Sequence, residues 1–161
     1  MAYYTPEDRR PPTTPQMALR VATLLREIGE PERAARGLAE WLRRGERIPG
    51  FGHKLYPHGD PRARHLLALI ADAYPDAEPV RLTAAISQAA EDLIRRQPNI
   101  DFALAVLAQV LDLPPDASLS LFALGRTAGW IAHALEQYAQ GTLIRPRATY
   151  TGAPIVSGGP E

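Results

Sequence analysis

Residues 98–110 read PNIDFALAVLAQV, and this stretch decides the class of fold. Pro98-Asn99 breaks the chain, and Ile100 to Leu111 is then apolar on most faces, with Asp101 its single charge. A segment of that length and composition is predicted to be a helix, and one apolar all round must be covered on several sides. Working backwards, Thr83 is expected to cap a helix reaching to about Gln97, and Asp60-Pro61 to cap and open another running to about Tyr74. Further back, Pro31 starts a helix carrying Ala34, Leu38, Trp41 and Leu42, which Gly45 stops. The earliest helical pattern begins at Gln16, sets Met17, Val21, Leu24, Leu25 and Ile28 on one face, and ends at Gly29. Working forwards, Pro114-Pro115 is a hard stop, and Ser118 is expected to cap a long helix to about Gln140, with Gly141 after it. That helix is also rich in large apolar residues: Leu121, Phe122, Leu124, Trp130, Ile131 and Leu135. The other helices offer limited cover for it, a hint of a partner surface supplied from elsewhere. No run alternates with the period of a strand, so the class is all-α. Residues 1–15 read as an extended arm rich in proline, and residues 142–161 as an extended tail.

Composition narrows the function by exclusion. The chain has 161 residues with eighteen basic and eighteen acidic side chains, so no field of one sign argues for nucleic acid or an anionic membrane. No stretch is apolar enough to span a bilayer, and the start has no signal-peptide core, which points to the cytoplasm. Without cysteine there is no disulfide framework and no thiolate nucleophile. Lys54 is the sole lysine, so an anion site here must be built almost entirely from arginine, whose planar fork suits carboxylates. A GC-rich genome would give the same bias.

Four islands place polar groups beside chain breaks or on apolar helices: Gly50-Phe51-Gly52-His53, Asp60-Pro61-Arg62, Pro98-Asn99-Ile100-Asp101, and Gly125-Arg126 with Gly129-Trp130. The first lies in an irregular stretch, Arg47 to Gly59, of the kind that tends to carry function. Its glycines let the backbone of His53 approach a ligand closely. Arg62 sits in the first turn of a helix, where the dipole disfavours a cation but helps a bound anion. Asp101 begins a helix among apolar neighbours, a setting that raises a carboxylate's pKa and suits a general base. Arg126, mid-helix between Leu124 and Trp130, is expected to need a partner for its charge. Each residue alone has an ordinary explanation: a packed loop histidine, a helix cap, a buried ion pair.

Order and spacing together are more specific. Ile48-Pro49-Gly50-Phe51-Gly52-His53 followed by Asp60-Pro61-Arg62-Ala63 resembles the signature of the citrate synthase family. Pro98-Asn99-Ile100-Asp101-Phe102, the run Gly125-Arg126-Thr127-Ala128-Gly129-Trp130-Ile131-Ala132-His133, and Leu143-Ile144-Arg145-Pro146 resemble it too. The resemblance extends from about Val21 to Tyr150. It implies small-domain helices that bind CoA and oxaloacetate over residues 16–112, a long large-domain helix over 113–141, and a tail reaching a neighbouring subunit. It implies an acyltransferase that condenses acetyl-CoA with oxaloacetate to citrate and CoA, with no resident cofactor or metal. By the same resemblance, His53 polarises the oxaloacetate carbonyl and Asp101 removes a proton from the methyl of acetyl-CoA. Arg62 and Arg126 bind the oxaloacetate carboxylates, and Arg145 enters a neighbouring subunit's site. Ile48, Pro49 and Gly50 lie near the CoA adenine, with Lys54 standing in for a basic residue that relatives carry near Pro57.

Two departures bear on activity. Family members carry an enolate-stabilising histidine in a His-Gly-Gly loop before the helix matching Met17 to Ile28; here that place reads Pro11-Pro12-Thr13-Thr14-Pro15-Gln16. A second histidine that contacts oxaloacetate is also absent, since no histidine precedes His53. One general acid or base is worth roughly 10²–10⁴-fold in rate, so the lone chain is expected to be a poor catalyst. It is expected to act with a complementary amino-terminal citrate synthase chain or in a homo-oligomer. The alternative is a non-catalytic remnant serving as a ligand-binding or assembly module.

Overall fold

The computed structural model describes residues 14–114 and 116–144. Its helices are α1 (Thr14–Ile28), α2 (Ala34–Arg43), α3 (Pro61–Ala73), α4 (Glu78–Ile94), α5 (Ile100–Val110) and α6 (Ala117–Gln140). No strand occurs among the described residues, and the all-α reading holds; one isolated antiparallel bridge joins Phe51 to Pro98. The described residues fall into two units that meet within α6, one ending at Thr127 and the other starting at Ala128.

In the first unit α5 is the axis. Phe102, Ala103, Leu104, Ala105, Val106 and Ala108 are all buried, as its all-round apolarity requires. Its alanines let α1, α3 and α4 approach closely, and all three pack on it. Val21, Leu24, Leu25 and Ile28 of α1 form one continuous buried stripe, joined by Leu38 and Trp41 of α2, Ile70 of α3, and Leu82 and Ile86 of α4. The indole of Trp41 keeps its polar edge satisfied by donating to Glu27 Oε2 at 2.8 Å.

Several helix starts differ from the sequence expectation. α1 begins at Thr14, two residues before Gln16. Pro31–Arg33 forms a separate 3₁₀ turn before α2, so Pro31 opens that turn and not the α-helix itself. Thr83 does not cap α4 but lies inside it, buried, with its hydroxyl donating to the Pro79 carbonyl at 2.7 Å. The helix starts at Glu78 because Pro79, in its first turn, costs no intrahelical hydrogen bond there. α4 ends at Ile94, where Arg95 turns left-handed (φ 50°). Ser118 likewise lies inside α6, one residue after its start, and is buried.

α6 is the helix for which the sequence expected little cover. Ser118 is its one buried residue among those described. In the first unit Leu124 is 73% exposed. In the second, Trp130, Leu135 and Tyr138 are also open to solvent, and His133 faces Glu136 at 3.5 Å. These exposed apolar residues agree with the limited cover expected for this helix from the rest of the chain. No described helix is long and apolar enough to cross a membrane.

Candidate active site

The loop before α3 and the start of α5 are tied backbone to backbone. Gly52 N–H donates to Gln97 O at 2.8 Å and Asn99 N–H donates to Gly50 O at 2.9 Å, on either side of the Phe51–Pro98 bridge. Gly50 holds φ 81°, and a Cβ there would stand 2.9 Å from both Phe102 Cβ and Val21 Cγ2. Only glycine permits both the dihedral and the approach. The Phe51 and Phe102 rings meet with centroids 4.9 Å apart and planes at 58°, so the loop is anchored in the core.

Asn99 completes the junction. Its Oδ1 accepts from the N–H groups of Asp101 (3.1 Å) and Phe102 (3.3 Å), capping α5. Its Nδ2 donates to Gly52 O at 3.0 Å, across 47 residues of sequence. One buried side chain thus sets both the origin of the helix that carries Asp101 and the position of the loop that carries His53.

Asp60 plays the matching part at the start of α3. Its carboxylate is fully buried and accepts four hydrogen bonds. Oδ1 takes Arg62 N–H and Nε–H, each at 3.0 Å; Oδ2 takes Arg62 Nη2 at 2.8 Å and Ile100 N–H at 3.1 Å. Burial pushes this carboxyl up, but the hydrogen bonds from Arg62 and Ile100 and the guanidinium charge together hold it below its usual range. The same pairing raises Arg62. The ring of Tyr56 covers one face of Arg62, 5.5 Å from the guanidinium carbon, and lies 4.8 Å from the ring of His53.

His53 Nδ1 accepts from the Leu55 N–H at 3.2 Å. In the neutral ring the proton therefore sits on Nε2, which leaves that nitrogen as a hydrogen-bond donor. Burial drives the Asp101 carboxyl above its usual value; Arg62 and a protonated His53 pull it down, and Asp60 adds to the rise. The expectation of a raised carboxylate at the start of α5 is met, and burial is the main cause.

Arg62 and His53 both act on Asp101, and Tyr56 contacts both Arg62 and His53, so the three lie in one region. Ile48, Pro49 and Gly50 are buried beside it, and Lys54 is exposed. Arg126 is not gathered in: it is exposed, it makes no ion pair among the described residues, and it is not among the charges acting on Asp101. Arg145 lies outside the described residues. The sequence reading gave no role to Asn99 or Tyr56 and treated Asp60 only as a cap. The Asn-x-Asp and Asp-Pro-Arg spacings carried a usable signal, since a short polar side chain two residues before another reaches the next backbone N–H. A groove of about 470 Å³ between α1, α4 and α5, lined by residues such as Leu25, Arg26 and Leu82, contains none of these site residues.

Residues 13–147 match the model of the citrate synthase C-terminal domain. The chain belongs to the citrate synthase family. It is 38% identical over 135 residues to citrate synthase 2 of Bacillus subtilis, covering 82% of this chain and 36% of that protein. It is 37% identical over 138 residues to a citrate synthase of Haloferax volcanii, covering 81% and 36%. Against 2-methylcitrate synthase 1 of Corynebacterium glutamicum the identity is 33% over 129 residues, covering 78% and 34%. The chain therefore spans little more than a third of the length of these curated relatives. Among solved structures, citrate synthase of Thermotoga maritima superposes with a TM-score of 0.70 at 32% identity, over 89% of this chain and 41% of that one. A ternary complex of the Thermoplasma acidophilum enzyme with carboxymethyl coenzyme A and oxaloacetate superposes with a TM-score of 0.69 at 26% identity, over the same shares.

Proposed function

We propose that this chain supplies the oxaloacetate-binding and proton-abstracting part of a citrate synthase centre, which condenses acetyl-CoA with oxaloacetate to citrate and CoA. The observation that carries the reading is the gathering of a desolvated carboxylate, a donor imidazole and a guanidinium in one region. Asp101, raised by burial, is matched to removing a proton from the weakly acidic methyl of acetyl-CoA. The carbon so exposed attacks the ketone carbon of oxaloacetate, and negative charge develops on the ketone oxygen. His53 Nε2–H is a fixed donor for that oxygen. Arg62 offers Nη1, which Asp60 leaves free, to a substrate carboxylate; Arg126, which this chain alone does not gather in, and Arg145 are assigned by family resemblance to the remaining carboxylate charge in the complete enzyme. Water then cleaves the thioester of citryl-CoA and releases CoA. Ile48, Pro49, Gly50 and Lys54 are assigned to the CoA side. Further donors, among them the enolate-stabilising histidine, come from other parts of the complete enzyme, on this or a partner chain.

The test is a fusion of the amino-terminal part of Bacillus subtilis citrate synthase 2 to this chain. Thiol release that requires both oxaloacetate and acetyl-CoA, and that drops about 10²–10⁴-fold on Asp101→Asn, is expected. A folded fusion with no release, or release indifferent to Asp101, sinks the reading. Since a 2-methylcitrate synthase is among the relatives, propionyl-CoA is the competing acyl donor. Faster turnover with it than with acetyl-CoA would reassign the product to 2-methylcitrate.

A further inference from the structure

We infer that Asp60 is a positioning residue for the substrate arginine, fixing which edge of Arg62 faces the ligand and locking that edge to the helix that carries Asp101. The inference rests on the oxaloacetate reading above and deepens it. An arginine fork has two edges on which it can grip a carboxylate. In this chain the edge formed by Nε and Nη2 is already closed by the two oxygens of Asp60, at 3.0 and 2.8 Å. Only Nη1 and the second hydrogen of Nη2 remain for a ligand. Arg62 is nearly half exposed while the Asp60 carboxylate is wholly buried, so the acid is the fixed member and the base the presented one.

The same carboxylate also accepts Ile100 N–H at 3.1 Å, one residue before Asp101. Arg62 and Asp101 come from separate helices, yet their backbones are referred to one anion. Tyr56 adds the second constraint by covering a face of the guanidinium, 5.5 Å from its carbon. With one edge and one face blocked, the side-chain torsions of Arg62 cannot swing the guanidinium away without breaking its pairing with a buried carboxylate. A free surface arginine would lose that rotational freedom on binding; this one has lost it beforehand. Helix capping alone explains the Arg62 N–H bond but not the two guanidinium bonds or the bond to Ile100.

Asp60→Asn retains a good helix cap and nearly the same shape, but it cannot accept on both oxygens. Asp60→Ser retains the cap and loses the reach. In the full chain, the Arg62 Nε–H resonance is expected to exchange slowly with water, to stay slow in Asp60→Asn, which keeps the Oδ1 acceptor, and to exchange at least about tenfold faster in Asp60→Ser, while the amide of Phe102 stays protected. In the fusion described above, calorimetry with oxaloacetate is expected to give a Kd about tenfold weaker for Asp60→Asn. A KM for oxaloacetate raised by about the same factor, with kcat for acetyl-CoA turnover less affected, is expected alongside. Unchanged Nε–H exchange in Asp60→Ser, or unchanged oxaloacetate affinity in Asp60→Asn, overturns the positioning role. Failure of the unsubstituted fusion to bind oxaloacetate, with the Nε–H still protected, overturns the functional reading instead.

Discussion

Replacing Asn99 by alanine tests whether one side chain holds the site together. In the structure its Oδ1 satisfies the N–H groups of Asp101 and Phe102, and its Nδ2 satisfies Gly52 O. Loss of a helix cap costs about 1 kcal/mol. Phe102 is wholly buried, so its N–H has little access to replacement water, and leaving such a group unpaired costs about 1–3 kcal/mol. The two effects overlap on the same N–H groups, so the expected total for Asn99→Ala is about 2–3 kcal/mol rather than their full sum. Asn99→Asp separates the parts: it keeps the cap but sets a carboxylate oxygen against Gly52 O, and about 1 kcal/mol of loss is expected from the missing donor. Urea unfolding of the full chain, followed by far-ultraviolet circular dichroism, reads both. With a slope of about 1–3 kcal/mol/M, Asn99→Ala should move the midpoint down by about 0.7–3 M without changing the slope. A shift below about 0.3 M would refute the claim that this side chain joins the loop to α5.

Gly50→Ala should be among the most damaging single-methyl changes, at about 2–5 kcal/mol, since left-handed backbone strain adds to overlap with Phe102 and Val21; thermal unfolding would show it. Asp101→Asn should cost activity in the fusion yet stabilise the chain at neutral pH. An acid raised on folding binds its proton more tightly when folded, so the native state loses stability as pH climbs from 3.8 through the folded value, and the amide escapes that loss. Equal stabilities of the two proteins at pH 7 would contradict this. Asp60 has the opposite sign: its lowered carboxyl contributes stability that is full above its ordinary 3.8 and lost as pH falls through the folded value. Acid titration of unfolding in the unsubstituted chain and in Asp60→Ser should therefore converge at low pH, and parallel curves would count against the pairing.

Residues that report on their own neighbourhood were legible in the chain. The apolar runs around Leu24, Leu38 and Val106 marked their helices, because periodicity reflects burial directly. Helix starts at Thr83 and Ser118 were misplaced because a hydroxyl residue serves a cap or an interior position equally well, and local sequence does not choose between them.

By itself the sequence determined that the chain is all-α, that α5 must be covered on several sides, and that the runs holding His53, Arg62 and Asp101 resemble the citrate synthase signature. What only the tertiary structure decided was how those residues are held: the closure of one edge of Arg62 by Asp60, the bond from Asn99 to Gly52, and the donor nitrogen of His53. It also decided that, of the apolar residues of α6, Leu124 in the first unit and Trp130 and Leu135 in the second are open to solvent. The physical reason is range. Composition and period are properties of neighbours along the chain, whereas a hydrogen bond across 47 residues, or the covering of an apolar face, depends on which surfaces the folded chain brings together.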